Sequence, residues 1–118
     1  MKRYIVAFKG LSLFFSSEKN AKTHLAISFL VIASGSFFEI NKTDWLLVLV
    51  CFGLVFCTEI INSSIERICD MVHPERSEKV RDIKDLAAGS VLAAAIVSAT
   101  IGLGVFIPYI IKHISRIL

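Results

Sequence analysis

Hydrophobic residues fall along this chain in one short periodic stretch and three long runs. In residues 1–17, Tyr4, Phe8, Leu11 and Phe15 recur at the spacing of one helical face, while Lys2, Lys9 and Ser16 fall together elsewhere. This spacing predicts an amphipathic helix lying in a membrane interface. Lys2-Arg3 ahead of an apolar stretch ending at Ser16-Ser17 also has the outline of a secretory signal peptide. Lys9, however, interrupts what should be an uncharged core.

The long runs predict three transmembrane helices at 21–41, 45–66 and 86–111, each supplying the roughly 20 residues that a bilayer crossing needs. The first is built on His24 to Phe38, between Lys22 and Glu39. Asn41-Lys42-Thr43-Asp44 reads as a turn, with Asp44 placed to cap the second helix and Trp45 as its interfacial anchor. That helix is apolar as far as Cys57 and then turns polar without a breaker, through Thr58, Glu59, Asn62, Ser63 and Glu66, until His73-Pro74 ends it. A polar stretch from Glu75 to Asp85 leads into the third span, which is rich in small residues at four-residue spacing: Gly89 and Ala93; Ala94, Ser98 and Gly102; Ala95 and Ala99. Such rows let helices approach closely in lipid and point to association between copies of the chain.

Composition supports lipid as the solvent. At 118 residues the chain is a single domain, with 55% hydrophobic and 19% charged residues and a mean hydropathy of +0.71. A soluble domain this short exposes much of its surface and needs more polar residues. The net charge of +3, without a basic stripe bearing aromatics, excludes a case for nucleic acid. Cys51, Cys57 and Cys69 are odd in number and lack metal-ligand spacing, and His24, His73 and His113 are scattered, so neither a disulfide framework nor a zinc site is indicated. Lys2, Arg3, Lys9, Lys19, Lys22, Arg67, Arg76, Lys79, Arg81 and Lys84 fall on one side of the predicted spans. Lys42, Lys112 and Arg116 fall on the other. Ten against three places the amino terminus in the cytoplasm and the carboxy terminus outside.

Chemistry gathers at the cytoplasmic ends. Glu59, Asn62 and Glu66 lie within about 60° of one another around a helix and span about two turns. Carboxylates at the end of a membrane helix are costly unless paired or used. Pairing with Arg67 or Lys84, or plain solvation, is the bland explanation, and it fits Glu66 better than Glu59, which lies deeper. Glu18 at the start of the first span and Lys84-Asp85 at the start of the third fall at the same level. Four carboxylates, one amide and one ammonium suit Mg²⁺ with a polyphosphate, since hard oxygens hold the metal and lysine offsets phosphate charge. The deeper carboxylate is placed to take a proton from a lipid hydroxyl. No GxxxxGK[ST] or kinase glycine-rich loop is present.

These residues also carry a resemblance. Glu59-Ile-Ile-Asn-Ser-Ser-Ile-Glu66, Asp70, and the run from Lys84-Asp85 to Leu92 resemble the E-x-x-N-[ST]-[AS]-I-E and K-D-x-x-[AS]-[AG] motifs of the bacterial diacylglycerol kinase/undecaprenol kinase family. Phe8-Lys9-Gly10-Leu11 is similar to its [WF]-K-G-[LI] element, and Glu18-Lys-Asn20 to its E-x-N element. The resemblance implies a homotrimer of the bacterial inner membrane with sites shared between subunits, using ATP and Mg²⁺ to phosphorylate a lipid alcohol. It implies Glu59 as general base, Glu18 and Glu66 as Mg²⁺ ligands alongside the ATP phosphates, Asn62 as an orienting group, Lys84 on phosphate and Asp85 in support, with Asp70 pairing Lys84. Glu18, Asn20, His24 and Leu25 resemble the undecaprenol kinase branch, whereas proteobacterial diacylglycerol kinases carry an acidic residue at the position of His24. Undecaprenol is therefore the leading substrate and diacylglycerol the alternative.

A transporter subunit would account for a membrane-embedded Glu59 as well. A transport pathway should place polar groups through the whole depth, yet Leu46 to Phe56 and Gly102 to Ile111 carry no charge. A structural protein would not need carboxylates at three separate segment ends converging on one level.

Overall fold

The computed structural model describes residues 2–72 and 77–118. The expected helix end at His73-Pro74, with Glu75 and Arg76, lies outside the described residues. Four helices make up the chain: α1 (Lys2–Ser17), α2 (Lys19–Phe37), α3 (Lys42–Val72) and α4 (Glu78–Ile117). Of the first 17 residues, expected as an interfacial helix, Lys2–Ser17 form the helix α1. Its stripe of Tyr4, Phe8 and Leu11 is exposed, and only Phe14, near the end, is buried against the rest of the chain.

Two of the four helices, α3 and α4, are long and apolar enough to cross a membrane. This is fewer than the three expected. The difference lies in α2, where Lys19, Asn20, Lys22 and His24 leave an apolar run from Leu25 to Phe37 that is shorter than the roughly 20 residues of a full crossing. Both long helices outrun their predicted bounds. The 40 residues of α4 should measure about 60 Å at the helical rise, matching the 59 Å long axis of the molecule. The stretch expected as a polar connection is largely the first two turns of α4. Ser77 caps it by accepting a hydrogen bond from the Val80 N–H at 3.2 Å, and Glu78 complements the helix dipole.

The cap of α3 also differs from expectation. Asn41, not Asp44, serves: its Oδ1 accepts from the Asp44 N–H at 2.8 Å. Asp44 is held by the Tyr109 hydroxyl at 2.6 Å instead, which ties the start of α3 to α4. At the end of α2 the N–H of Ile40 reaches the Gly35 carbonyl and that of Glu39 the Ser36 carbonyl, a Schellman closure that needs a left-handed residue at Glu39, φ 51°. Ile40 then enters a small core with Val48 and Val105, ringed by Phe38, Trp45 and Phe106.

The last turn of α2 can lie so close to Trp45 because residue 35 is glycine. A Cβ there would stand 2.6 Å from the indole ring. Gly35→Val is expected to destabilise the fold by about 1–3 kcal/mol through overpacking, read as a lowered midpoint in thermal unfolding of the detergent-solubilised protein.

Along their length α3 and α4 pack on each other, joined at mid-helix where the Ser98 hydroxyl donates to the Cys51 carbonyl at 3.4 Å. Of the rows of small residues on α4, the one with Ala94 buried and Ser98 and Gly102 half-buried faces the chain itself, while Gly89, Ala93 and Ala99 are exposed. No large side chain is fully buried among the described residues, and long lines of Leu, Ile, Val and Phe stand free on every helix.

Candidate active site

Glu59 is set on α3 where the helix passes from purely apolar to polar residues. Its residue exposure is only 5%, which is unusual for a carboxylate in a chain with so thin a core. One oxygen, Oε1, lies 2.9 Å from His24 Nε2 on α2. The other, Oε2, is buried with no hydrogen-bond partner. Phe56, one turn earlier, meets the His24 ring edge-on at 6.0 Å and the Phe15 ring of α1 at 5.7 Å, so three helices converge around this carboxylate.

Asn62 follows one turn on and is likewise buried. Its Nδ2 donates to Glu66 Oε1 at 3.4 Å, and its Oδ1 is a second buried atom without a partner. Glu66 itself is exposed. Helical periodicity thus puts Glu59, Asn62 and Glu66 in line, from the most enclosed to the most open.

The other expected site residues are engaged in pairs. Glu18, half-buried at the start of α2, accepts from Arg67 at 3.0 Å, and the same guanidinium donates to the Ser17 hydroxyl at 2.9 Å. Lys84 meets Asp70 at 2.6 Å, the pairing anticipated between these two. The Asp70 carboxylate holds the Lys84 ammonium above the ordinary lysine value, so it is cationic throughout the physiological range. Asp85 is exposed at the start of α4. Arg67 and Lys84 pair with Glu18 and Asp70 and leave Glu59 and Glu66 alone, contrary to the bland expectation.

The six residues do not close into a single cluster within one chain. Among the described residues, no three His, Cys, Asp or Glu side chains form a group that would hold a metal by itself. What stands at this end is the carboxylate of Glu18 paired with Arg67, the exposed carboxylate of Glu66, a buried amide oxygen, a cation held by Asp70 and one deep carboxylate. Between α1 and α3 lies an apolar cleft of about 420 Å³, walled by Leu11, Phe14, Ile60 and Ile68, with Glu18 and Arg67 also lining it. A second hollow of about 280 Å³, among Phe37, Phe38, Glu39, Tyr109, Lys112 and His113, lies at the other end of the molecule from Glu59 and Glu66.

His24 is the residue whose part in this site the sequence reading missed. It is the last titratable group before the apolar run of α2, as Glu59 is the first carboxylate after the apolar run of α3. In antiparallel neighbours those two positions fall at one depth, which was the available signal.

A helical chain with long exposed apolar helices, and with Glu18, Glu59, Glu66 and Lys84 toward one end of them, has the layout of an enzyme working at a membrane surface. Residues 5–106 match the prokaryotic diacylglycerol kinase family, and the chain belongs to that family. It is 29% identical over 107 residues to a protein of Bacillus subtilis (strain 168) named undecaprenol kinase, covering 91% of this chain and 87% of that one. It is also 29% identical over 97 residues to a protein of Synechocystis sp. (strain ATCC 27184 / PCC 6803 / Kazusa) named diacylglycerol kinase, covering 81% of this chain and 55% of that one. The protein is therefore a lipid kinase, a phosphotransferase with an alcohol acceptor, and membership implies ATP as the phosphoryl donor and association with the membrane.

Proposed function

We propose that this kinase phosphorylates undecaprenol, or a closely similar long polyprenol, with Glu59 as the general base. The observation that carries the role of Glu59 is its geometry: a buried carboxylate with one oxygen held by His24 and the other without a partner. A buried acceptor left open costs on the order of 1–3 kcal/mol, which a substrate hydroxyl would recover by donating to it. The choice of polyprenol is supported by the relative named undecaprenol kinase, which matches over most of both chains. The apolar cleft between α1 and α3 suits an isoprenoid tail.

In this reading the lipid O–H bond breaks as its proton passes to Glu59. The oxygen bonds to the γ-phosphorus of ATP, and the bond to the bridging oxygen breaks with its electron pair leaving on ADP. Glu18 and Glu66 would hold Mg²⁺. Two exchangeable carboxylates fit that ion, which usually takes one or two carboxylates and completes its shell with phosphate oxygens and water. Mg²⁺ would offset phosphate charge there. Asn62, its Oδ1 still free, orients the groups between Glu59 and Glu66. Lys84 offers its cation to phosphate, and Asp85 supports it from the next position.

We also place the chain as a homotrimer in the bacterial inner membrane, with three crossings, the amino terminus inside and the carboxy terminus outside. In this placement α2 makes the third crossing by keeping Lys19, Asn20 and Lys22 in the headgroup layer, so that its shorter apolar run from Leu25 to Phe37 has only the hydrocarbon to cover. The exposed apolar faces and the open arrangement of the site within one chain favour sites completed by a neighbouring copy.

The test is phosphate transfer from radiolabelled ATP with Mg²⁺, using purified protein in mixed micelles supplied separately with undecaprenol and with diacylglycerol. Higher kcat/KM on undecaprenol is expected. Preference for diacylglycerol would overturn the substrate assignment and leave the kinase intact.

A further inference from the structure

We infer that His24 is the positioning residue for Glu59, donating from Nε2 to Oε1 so that Oε2 alone is presented to the substrate hydroxyl. This rests on the reading of Glu59 as the base.

The two side chains meet between α2 and α3. The Glu59 side chain is 6% exposed and that of His24 23%, and the distance of 2.9 Å is that of a full hydrogen bond. The imidazole cannot swing freely, because the Phe56 ring stands against it and Phe56 is braced in turn by Phe15 of α1. The backbone carbonyl of His24 also accepts from the Ser28 hydroxyl at 2.8 Å, one turn along α2. A carboxylate rotates easily about its last bond, and either oxygen could otherwise turn toward the substrate. With Oε1 taken, the carboxylate plane is fixed and only Oε2 remains.

The arrangement has a chemical consequence as well. The hydrogen bond leaves one carboxylate oxygen engaged and the other free to take a proton. The proton then goes from the lipid hydroxyl to Oε2, while the His24 N–H stays on Oε1 throughout. Lys84 and Arg67 do not serve here, being paired with Asp70 and Glu18. No other side-chain donor reaches Glu59 among the described residues.

His24→Ala is expected to lower kcat about 10–100-fold, the loss usual when a group that orients a reactive residue is removed, with KM for ATP unchanged. His24→Gln, which keeps an N–H donor, should recover part of it. The ¹⁵N-bound proton of His24 Nε2, identified as the signal missing from His24→Gln, should shift upfield in Glu59→Gln, whether or not that variant turns over. Wild-type kcat in a folded His24→Ala, or a His24 signal indifferent to Glu59→Gln, overturns the positioning role. An active Glu59→Gln would overturn the reading of Glu59 itself, an outcome the kinetics of the His24 variants cannot mimic.

Discussion

Glu59→Gln is expected to lower kcat about 10²–10⁴-fold, the range that a positioned general base contributes, while KM for ATP stays near its wild-type value. Glutamine is nearly the same size and keeps a carbonyl oxygen that can accept from His24 Nε2, so the contact at 2.9 Å between α2 and α3 survives. The substitution removes a buried charge and leaves no cavity. For these reasons the variant should elute from a size-exclusion column in detergent as the wild type does, with the same helical circular dichroism. Glu59→Ala would be a poorer test. It would leave the imidazole facing an empty space, and a fall in activity could then come from lost packing. Initial rates at saturating lipid separate the effects. A folded Glu59→Gln within about tenfold of wild-type kcat would mean that another group takes the proton.

The sequence was informative wherever one helix's own periodicity decides the outcome. The alignment of Glu59, Asn62 and Glu66 needs only the helical repeat, and the bond from Asn62 to Glu66 at 3.4 Å follows from it. Contacts between helices were less legible because they depend on how each helix is rotated about its axis. His24 and Glu59 are 35 residues apart, and nothing in either segment states that the two faces meet. The cap of α3 has the same origin. Asn41 and Asp44 are both good caps, and the choice is made by Tyr109, 65 residues from Asp44 on another helix. At the start of α4, polarity suggested a connection, yet Ser77 is a capping residue and the Glu, Lys and Arg that follow are good helix formers.

Glu66→Gln is expected to raise the Mg²⁺ concentration needed for half-maximal rate about 10–100-fold, with excess Mg²⁺ restoring part of the activity. Glu66 is exposed and gives up only a 3.4 Å bond from Asn62 when it turns to a cation. Glu18 is comparably free despite its partner. The side chains of Arg67 and Glu18 are 48% and 25% exposed, and a pair so open to water contributes only about 0–1 kcal/mol. Such a pair exchanges readily for a divalent ion and phosphate oxygens, whereas a buried pair would hold Glu18 back. Glu18→Gln should therefore raise the Mg²⁺ requirement as well, and the double variant should exceed either one. Substitution of Mn²⁺ gives a second readout. Electron paramagnetic resonance of Mn²⁺ with a non-hydrolysable ATP analogue should show weaker binding to each variant, without turnover. Asp70→Asn serves as the contrasting variant. It loosens Lys84, now held at 2.6 Å, and removes no proposed metal ligand. Its Mg²⁺ curve should match the wild type. Unchanged Mg²⁺ curves and Mn²⁺ binding in both Glu18→Gln and Glu66→Gln would place the ion on other oxygens.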